Sequence, residues 1–396
     1  MNIRIQRGMT FYHLSILFQI PLSLLIGANR NKNPNALIIG DYVYIPGYDT
    51  SRYTINEGDT LWSISERFNI PLDQLIIVNQ NIEPNWLRVG DEINLPVKIN
   101  ENILTFDEPY TSETLEQDLF TLVNIYPFMT LRAIGTSVMG KPIYEVIIGQ
   151  GEKNIHINGS FHANESITTS VIMKFLNDYL VALTNNDSIR EVDMQQFFNS
   201  ITLSLVPMVN PDGVDLVNEG LPELENFQEL VLNINNGSTN FDGWKANIRG
   251  VDLNNQYPAN WEIERERKPS SPSPRDFPGY EPLSEPESIA LYNLVNESNF
   301  DRVLALHTQG KVIFWGYEGL EPPISETIVQ EYSRVSGYAP IRYVDSHAGF
   351  KDWFIQQFRK PGFTVELGRG VNPLPFSQFD EIYEETLGIF LANLFV

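Results

Sequence analysis

The strongest constraint on the fold of this chain is a repeat of fifty residues within its first hundred residues. Residues 5–46 align with residues 55–96 without a gap when the sequence is shifted by fifty positions. The residues common to both copies include Ile5 and Ile55, Gly8 and Gly58, Thr10 and Thr60, Ser15 and Ser65, Asn29 and Asn79, Pro34-Asn35 and Pro84-Asn85, and Gly40-Asp41 and Gly90-Asp91. The sequence therefore predicts two copies of one small structural unit.

Each copy predicts the order strand, helix, helix, strand. In the second copy, residues 53–55 form a short strand, and Thr60 stands where a helix N-cap is needed. Apolar residues then recur at helical spacing over 61–68. Pro71 restarts the chain into a second helix that runs to residue 78, and alternating apolar residues over 92–95 predict the closing strand.

The two copies resemble LysM modules. The residues that carry the resemblance are Gly58-Asp59-Thr60-Leu61, Ile70-Pro71, Asn79 and the run from Val89 to Pro96. The resemblance implies binding to glycans that contain N-acetylglucosamine, such as peptidoglycan, and it predicts modules at residues 1–47 and 52–97. The first copy has Met9 where the pattern has Asp. Two small structural domains without a ligand are the alternative.

Composition excludes several classes of function. The chain has no cysteine, which excludes disulfides, thiolate metal ligands and a cysteine nucleophile. Its formal net charge of −23 argues against nucleic acid or an anionic membrane as a partner. No apolar stretch has the length of a membrane span, and the N-terminus lacks the basic-then-apolar pattern of a signal peptide.

The remaining residues, 103–396, alternate apolar β-type runs with helical patterns, which predicts an α/β domain. We expect strands at 154–158, 201–209, 302–306 and 363–367, and helices at 166–183, 287–294 and 380–395. A polar segment rich in Pro, Ser and Glu, residues 258–286, is predicted to be a loop at the rim of a site.

Three of the five histidines follow predicted elements, and two of these have the context of metal ligands. His162 and Glu165 are three residues apart at a helix start, so their side chains point the same way. Both are good zinc ligands, but a catalytic zinc needs a third. His307 ends an apolar strand at the edge where α/β sheets place their sites, and Glu366 has a similar position. His156, inside a strand, is predicted to be a packed core residue.

The order His-x-x-Glu, His, Glu is similar to that of the zinc carboxypeptidase family. Three further runs carry the resemblance, namely residues 207–213, 250–254 and 351–353. It implies a mixed sheet flanked by helices, one Zn²⁺ held by His162, Glu165 and His307, and a proton-transferring carboxylate at Glu366. We expect the two LysM-like units to precede this α/β domain.

The chain departs from the family at residues that contact the substrate. Lys245 follows Trp244 where the family has an oxyanion-stabilising Arg, and Arg249 is an alternative donor. Asn255 follows Asn254 where the family has the Arg that clamps a terminal carboxylate, so simple C-terminal recognition should be weaker. The family's substrate-covering Tyr has its nearest match at Tyr343. Arg369 is a further candidate for substrate binding.

Glycan-binding modules beside a peptidase site predict action on peptidoglycan. The whole chain resembles enzymes that pair LysM modules with this fold and cut the γ-D-glutamyl–diaminopimelate bond of stem peptides, and this is the leading hypothesis. A zinc carboxypeptidase that releases C-terminal residues is the alternative, and a wall-binding protein with an inactive catalytic fold is a third possibility. We expect association with the cell wall or spore without a signal peptide, together with a cytoplasmic pool. The oligomeric state stays open.

Overall fold

The computed structural model describes residues 1–83 and 86–396, so Pro84 and Asn85 of the repeat lie outside the described residues. The chain divides into two units. The first comprises residues 1–105, 119–130 and 177–195, and the second comprises residues 106–118, 131–176 and 196–396.

The two repeat copies have the predicted order of elements. Their elements are β1 (Asn2–Arg4), α1 (Phe11–Phe18), α2 (Leu22–Gly27) and β2 (Tyr42–Tyr44), then β3 (Tyr48–Thr54), α3 (Leu61–Phe68), α4 (Leu72–Val78) and β4 (Glu92–Lys98). β1 pairs antiparallel with β2, and β3 pairs antiparallel with β4. The strand–helix–helix–strand prediction is therefore confirmed for both copies.

A buried asparagine makes the same contacts in each copy. The Asn29 amide donates to the carbonyls of Leu25 at 2.8 Å and Tyr44 at 2.9 Å, and its oxygen accepts from the Tyr44 N–H at 2.8 Å. Fifty residues later, Asn79 makes the same three bonds at 2.8, 2.7 and 2.7 Å, with Asn94 on the closing strand. Each asparagine therefore ties the second helix of its copy to the closing strand through fully paired buried polar groups.

The elements after the repeat alternate between strands and helices. They are α5 (Ser112–Ile125), β5 (Thr130–Thr136), β6 (Pro142–Gly149), β7 (Lys153–Asn158), α6 (Ile167–Asn185), β8 (Ser188–Ile189), β9 (Val192–Asp193), α7 (Met194–Ser200), β10 (Ile201–Val206), α8 (Pro211–Glu219), α9 (Glu225–Ile234), α10 (Trp261–Arg267), α11 (Pro286–Ser298), β11 (Arg302–Thr308), β12 (Val312–Phe314), α12 (Ile324–Ser336), β13 (Ala339–Ile341), α13 (Phe350–Phe358), β14 (Gly362–Leu367) and α14 (Phe379–Phe395).

Eight of these strands form one mixed sheet in the order β13-β12-β14-β11-β7-β10-β6-β5. The central strands β14, β11, β7 and β10 are parallel, whereas β12 and β6 run antiparallel to their neighbours β14 and β10. Every residue of β11 is buried, as expected for a central parallel strand. The prediction of an α/β domain with a mixed sheet is confirmed, and the carboxyl ends of β7, β11 and β14 lie side by side.

Two predictions of local structure differ from the structure. The strand predicted for 201–209 ends at Val206, because Pro207 has no N–H to donate to the ladder. The segment 258–286 was predicted to be a loop, yet it contains the helix α10, in which Trp261 and Glu264 are buried among charged neighbours. The helix was not predicted because most residues of α10 are charged and its buried face is too short to give a periodic apolar pattern. Over the described residues, no helix combines the length and the apolar character that a membrane span requires.

Candidate metal and catalytic site

The candidate ligands come from the ends of adjacent strands. His162 and Glu165 lie between β7 and α6. His162 directly precedes a short 3-10 turn, and Glu165 is the last residue of that turn. His307 lies on β11, and Glu366 lies on β14 directly opposite it in the parallel register. The sheet therefore brings together residues that are far apart in the sequence.

The three candidate metal ligands converge on one point. The Nδ1 atom of His162 lies 2.9 Å from Glu165 Oε1, and the Nδ1 atom of His307 lies 3.0 Å from Glu165 Oε2. The two Nδ1 atoms are 3.1 Å apart. All three side chains are buried, and within the described part of the chain they form a group whose ligand atoms lie within 4.8 Å of one another.

This arrangement fits a zinc ion. Two facing imidazole nitrogens share at most one proton favourably, whereas a cation between them and the carboxylate satisfies all three groups at once. Two nitrogen ligands and one carboxylate also match the donor set of catalytic zinc sites, which keep a position open for water or substrate. Burial alone would raise the pKa of Glu165, but the two imidazoles lower it to about 2, so the ligand is ionised.

Asp252 supports both His162 and Lys245. Its side chain is fully buried; Oδ1 lies 3.3 Å from His162 Nε2, and Oδ2 lies 3.0 Å from Lys245 Nζ. Burial opposes ionisation of Asp252, yet its partners Lys245 and His162 hold its pKa well below the usual range. Asp252 lies in one of the runs that resemble the zinc carboxypeptidase family, but no role was predicted for it. Its position between Val251 and Leu253 was the available signal, because a carboxylate that is buried beside apolar residues needs partners.

Lys245 is held by two carboxylates. Besides Asp252, its ammonium lies 3.4 Å from Asp276 Oδ1. Burial lowers the pKa of Lys245, but these carboxylates outweigh burial and raise it, so the ammonium stays charged. Lys245 therefore presents a fixed positive charge beside the candidate metal ligands.

Glu366 is half-buried and has no cationic partner at ion-pair distance within the described residues. Burial, and then the neighbouring charge of Glu165, raises the pKa of Glu366 to about 8. A carboxyl group with such a pKa holds and releases a proton near neutral pH, which suits a general acid and base.

A cavity of about 440 Å³ opens over these groups. Its lining comprises His162, Asn164, Glu165, Lys245, Arg275, Thr308, Gln309, Val312, Phe314, Glu366, Gly370, Val371 and Asn372. The cavity thus combines two of the three candidate ligands, a carboxyl group and two cations with a small apolar wall.

Five residues predicted to bind substrate do not line this cavity. Arg249 lies 3.5 Å from Glu285 in an ion pair, and Tyr343 donates to Glu321 at 3.0 Å. The exposed Arg369 accepts from Gln378 at its backbone carbonyl. The carboxylate partners draw Arg249 and Tyr343 away from the cavity.

The asparagine pair is also placed outside the cavity lining. Asn254 uses its side-chain oxygen to accept from the backbone of Phe350 at 3.0 Å, which anchors the start of α13. Asn255 is buried, and its backbone N–H donates to Asp252 at 3.0 Å. The substrate roles of these two residues remain predictions.

Two lining residues were missed by the sequence analysis. Asn372 donates to Glu165 Oε1 at 3.2 Å and to the Thr308 carbonyl at 2.9 Å, so it fixes the candidate ligand. Arg275 lies in the segment that was predicted to form the rim of a site, and this position was the available signal.

His156 is a core residue, as predicted. It is fully buried, its Nδ1 lies 2.9 Å from Ser204 Oγ, and its Nε2 lies 3.0 Å from the Asn158 amide. Burial lowers the pKa of His156 to about 3, so the ring is neutral.

A separate concavity of about 410 Å³ lies on the second repeat copy. It is lined by Asp59, Thr60, Leu61, Trp62, Leu72, Ile76 and Leu87. The Trp62 side chain is 64% exposed, although an indole is costly to leave in water. An exposed aromatic beside polar groups is typical of sugar-binding surfaces.

Family models match both regions of the chain. A model described as zinc carboxypeptidase matches residues 115–388, and a model described as LysM domain matches residues 53–96. The LysM match thus covers the second repeat copy.

Two bacterial relatives are similar over most of the chain. Gamma-D-glutamyl-L-diamino acid endopeptidase 1 of Lysinibacillus sphaericus is 57% identical over 396 residues, which cover 100% of each chain. The uncharacterized protein YqgT of Bacillus subtilis (strain 168) is 48% identical over 304 residues, covering 76% of this chain and 81% of the relative.

Solved structures show the fold. Bovine thrombin-activatable fibrinolysis inhibitor, in complex with tick carboxypeptidase inhibitor, matches with a TM-score of 0.57 at 18% identity, covering 73% of this chain and 97% of that one. Carboxypeptidase A from Helicoverpa armigera matches with a TM-score of 0.55 at 16% identity, covering 88% and 97%.

Proposed function

Because the chain belongs to the zinc carboxypeptidase family, we propose that it hydrolyses the γ-D-glutamyl–diaminopimelate bond of peptidoglycan stem peptides. The observation that carries this proposal is the 57% identity, over the full length of both chains, to the L. sphaericus gamma-D-glutamyl-L-diamino acid endopeptidase. The convergent group of His162, Glu165 and His307 supports it, since a hydrolytic metal site needs such a ligand set.

The proposed mechanism assigns tasks to the three candidate metal ligands, to Glu366 and to Lys245. His162, Glu165 and His307 would hold one Zn²⁺, which when bound supplies Lewis-acid polarisation of the scissile carbonyl and the attacking water. Glu366 accepts the proton of that water and then donates it to the leaving amine of the diamino acid. Glu366 lies opposite His307 in the strand register and lines the same cavity, so one carboxyl group is placed for both transfers.

Lys245 stabilises the negative charge that develops on the oxygen of the scissile carbonyl. Its ammonium is fixed at 3.0 Å from Asp252 and 3.4 Å from Asp276, so it needs no reorganisation when the negative charge appears. A compact ammonium gives a point charge rather than the fork of a guanidinium.

Asn255 favours the endopeptidase over a carboxypeptidase that releases C-terminal residues. The family's clamp for a terminal carboxylate needs a guanidinium, and this chain has a buried asparagine at that position. An enzyme that cuts inside the stem peptide does not need that clamp.

We further propose a three-part organisation, with LysM modules at residues 1–47 and 52–97 and the catalytic domain at 103–396. The matched hydrogen bonds of Asn29 and Asn79 support the first module, which lies outside the LysM match at 53–96. The concavity beside Trp62 is the proposed site for glycan strands. Binding of the wall there would raise the local concentration of stem peptides at the cavity.

The location that fits this substrate is the cell wall or the spore, together with a cytoplasmic pool that acts in wall degradation or recycling. Immunolabelling and fractionation of growing and sporulating cells test this placement. An enzyme found in neither wall nor spore fractions contradicts it.

Mass spectrometry of a digest tests the bond that is cut. The full chain is incubated with L-Ala-γ-D-Glu-diaminopimelate and with longer stem peptides, with and without a metal chelator. We expect release of L-Ala-D-Glu from each peptide, and loss of this product after chelation. Release of only the C-terminal residue from a longer peptide would support the carboxypeptidase instead.

Sedimentation with insoluble peptidoglycan tests the glycan site. We expect the full chain to co-sediment, and Trp62→Ala to weaken this binding several-fold, because the exposed indole is the largest apolar contact surface of the concavity and an aromatic contact contributes about 1 kcal/mol. Unchanged binding of Trp62→Ala would place the glycan elsewhere.

A further inference from the structure

We propose that Arg275 binds a carboxylate of the substrate and thereby takes over the anion recognition that Asn255 cannot provide. This inference rests on the proposed function, since it names a specificity-determining residue of the same cavity.

Arg275 lines the cavity with an available guanidinium. Its side chain is 60% exposed, and its Nε lies 3.3 Å from Asp276 Oδ2. Across the described residues, its two terminal amino groups have no hydrogen-bond or ion-pair partner. These two groups are the ones that form the bidentate pair with a carboxylate.

The segment that carries Arg275 is fixed to the segment that carries Lys245. The carbonyl of Pro274 accepts from the backbone N–H groups of Lys245 at 2.8 Å and Ala246 at 3.0 Å. The Ser273 N–H donates to the Gly250 carbonyl at 3.0 Å. Arg275 is therefore held beside the catalytic residues rather than carried on an unattached loop.

Asp276 sets the spacing between the two cations of the cavity. One of its oxygens lies 3.4 Å from Lys245 Nζ and the other lies 3.3 Å from Arg275 Nε. Lys245 has a second, fully buried partner in Asp252, whereas Arg275 has Asp276 alone. Of these two cations, Arg275 has the greater capacity to pair with an incoming anion.

Other arginines do not offer this capacity. Among the residues that the structure describes, Arg275 is the one arginine in the cavity lining. Arg249 is paired with Glu285, and Arg369 lies outside the lining. The recognition of a substrate anion by a guanidinium therefore falls to Arg275.

Within a longer stem peptide the substrate supplies two suitable carboxylates, because the carboxyl group beside the scissile amine of the diamino acid is bound to the next residue. A glutamyl residue linked through its γ-carboxyl keeps a free α-carboxylate three carbons from the scissile carbonyl. A diamino acid with two amino acid centres adds a carboxylate on the leaving side. Either one can form a charge-assisted bidentate pair with Arg275.

Three tripeptides distinguish these two sources, each with the carboxyl group beside the scissile amine of its third residue capped as an amide, as the next peptide bond caps it in a longer stem peptide. They are L-Ala-γ-D-Glu-diaminopimelate, its analogue with the glutamyl α-carboxylate amidated, and its analogue with L-lysine in place of diaminopimelate. The full zinc-loaded chain, Arg275→Gln, Arg275→Lys and the matched control Arg265→Gln are compared by steady-state kinetics. Arg265 is an exposed arginine outside the cavity lining, so its replacement makes the same change in net charge.

We expect Arg275→Gln to raise KM for the parent tripeptide about 10- to 100-fold with kcat nearly unchanged, as for a lost charge-assisted contact made equally in ground and transition states. The effect should vanish on the amidated analogue if Arg275 reads the glutamyl carboxylate, or on the lysine analogue if it reads the diamino acid. Arg275→Lys should have a KM between that of the unaltered chain and that of Arg275→Gln, and Arg265→Gln should have the KM of the unaltered chain.

Equal losses for Arg275→Gln on all three tripeptides, or no loss on any, would overturn this role of Arg275 and leave the proposed function standing. Failure of the unaltered chain to cut the γ-D-glutamyl bond would instead overturn the proposed function itself. Circular dichroism and thermal unfolding of each variant separate a folding defect from a binding defect, and a folded Arg275→Lys with no recovery of KM also contradicts the proposal.

Discussion

Replacing Asp252 by Asn removes a buried negative charge while preserving the shape of the side chain. Asp252 Oδ1 accepts from the Asn254 N–H at 3.0 Å and lies 3.3 Å from His162 Nε2, and Oδ2 lies 3.0 Å from Lys245 Nζ. An asparagine that keeps its oxygen toward Asn254 and His162 turns its amino group toward the Lys245 ammonium. Two donors then face each other in a buried site.

We expect Asp252→Asn to lower both the free energy of unfolding and the affinity for zinc. Removing one partner of a buried ion pair typically costs about 3–5 kcal/mol. Lys245 retains Asp276 at 3.4 Å, whose side chain is about one-third exposed, so we expect a loss of about 3 kcal/mol, at the lower end of that range. Loss of the carboxylate behind His162 should also weaken zinc binding about 10- to 100-fold.

Chemical denaturation of the metal-free protein at pH 7 measures the first part, and competition with a zinc chelator measures the second. The control is Asp276→Asn, which removes a more exposed partner of the same lysine and should cost about 1 kcal/mol or less. The reasoning is refuted if Asp252→Asn is no less stable than this control and binds zinc with unchanged affinity.

The pH dependence of the loss gives a further check on Asp252. Its folded-state pKa lies well below the usual value of 3.8, because Lys245 and His162 outweigh burial. The stabilisation is therefore present above that value and is lost as the pH falls through the lower, folded-state pKa. The stability difference between the unaltered chain and Asp252→Asn should shrink in strong acid and stay constant around neutrality.

Three other predictions address catalysis, pH and the repeat. Glu366→Gln should lower kcat about 10²- to 10⁴-fold with little change in KM, since the amide cannot transfer the proton. Steady-state hydrolysis of the tripeptide measures both constants, and a near-normal kcat contradicts the role of Glu366. Burial raises the pKa of Glu287 from 4.5 to about 7, so the stability that Glu287 contributes should fall by about 3 kcal/mol as the pH rises from 4.5 to 7. Denaturation at several pH values, compared with Glu287→Gln, should show this difference in slope, and parallel pH profiles contradict it. Asn79→Ala and Asn29→Ala each remove three buried hydrogen bonds and should lower stability by about 2–4 kcal/mol in calorimetry, and unequal losses would contradict equivalent copies.

Sequence reasoning succeeded where the signal was periodic or local. The fifty-residue shift placed Asn29 and Asn79 in equivalent positions before any contact was visible. The spacing of His162 and Glu165 predicted side chains on one side of a turn, and His307 was placed by the apolar strand before it. The parallel strands of the sheet then brought these three together.

It failed where partners come from distant segments. Nothing in the local sequence of Arg249 or Tyr343 shows that Glu285 and Glu321 pair with them. Arg275 could not be distinguished from the other charged residues of a polar segment, because its position depends on hydrogen bonds between Pro274 and the backbone near Lys245. The helix α10 was hidden for a related reason, since its few buried residues contact neighbours that the sequence does not reveal.

The parallel register that sets Glu366 opposite His307 also orders the events of biosynthesis. The ribosome makes β7, then β11, then β14, and the cavity needs residues from all three. A nascent chain that ends before β14 lacks the strand that pairs with β11, on which His307 lies, and it also lacks the carboxyl group that moves the proton. The ligand set and the proton-transferring carboxyl group are therefore complete only after nearly the whole of region 103–396 has been translated, and a chain truncated before β14 should neither bind the metal tightly nor cut peptide bonds.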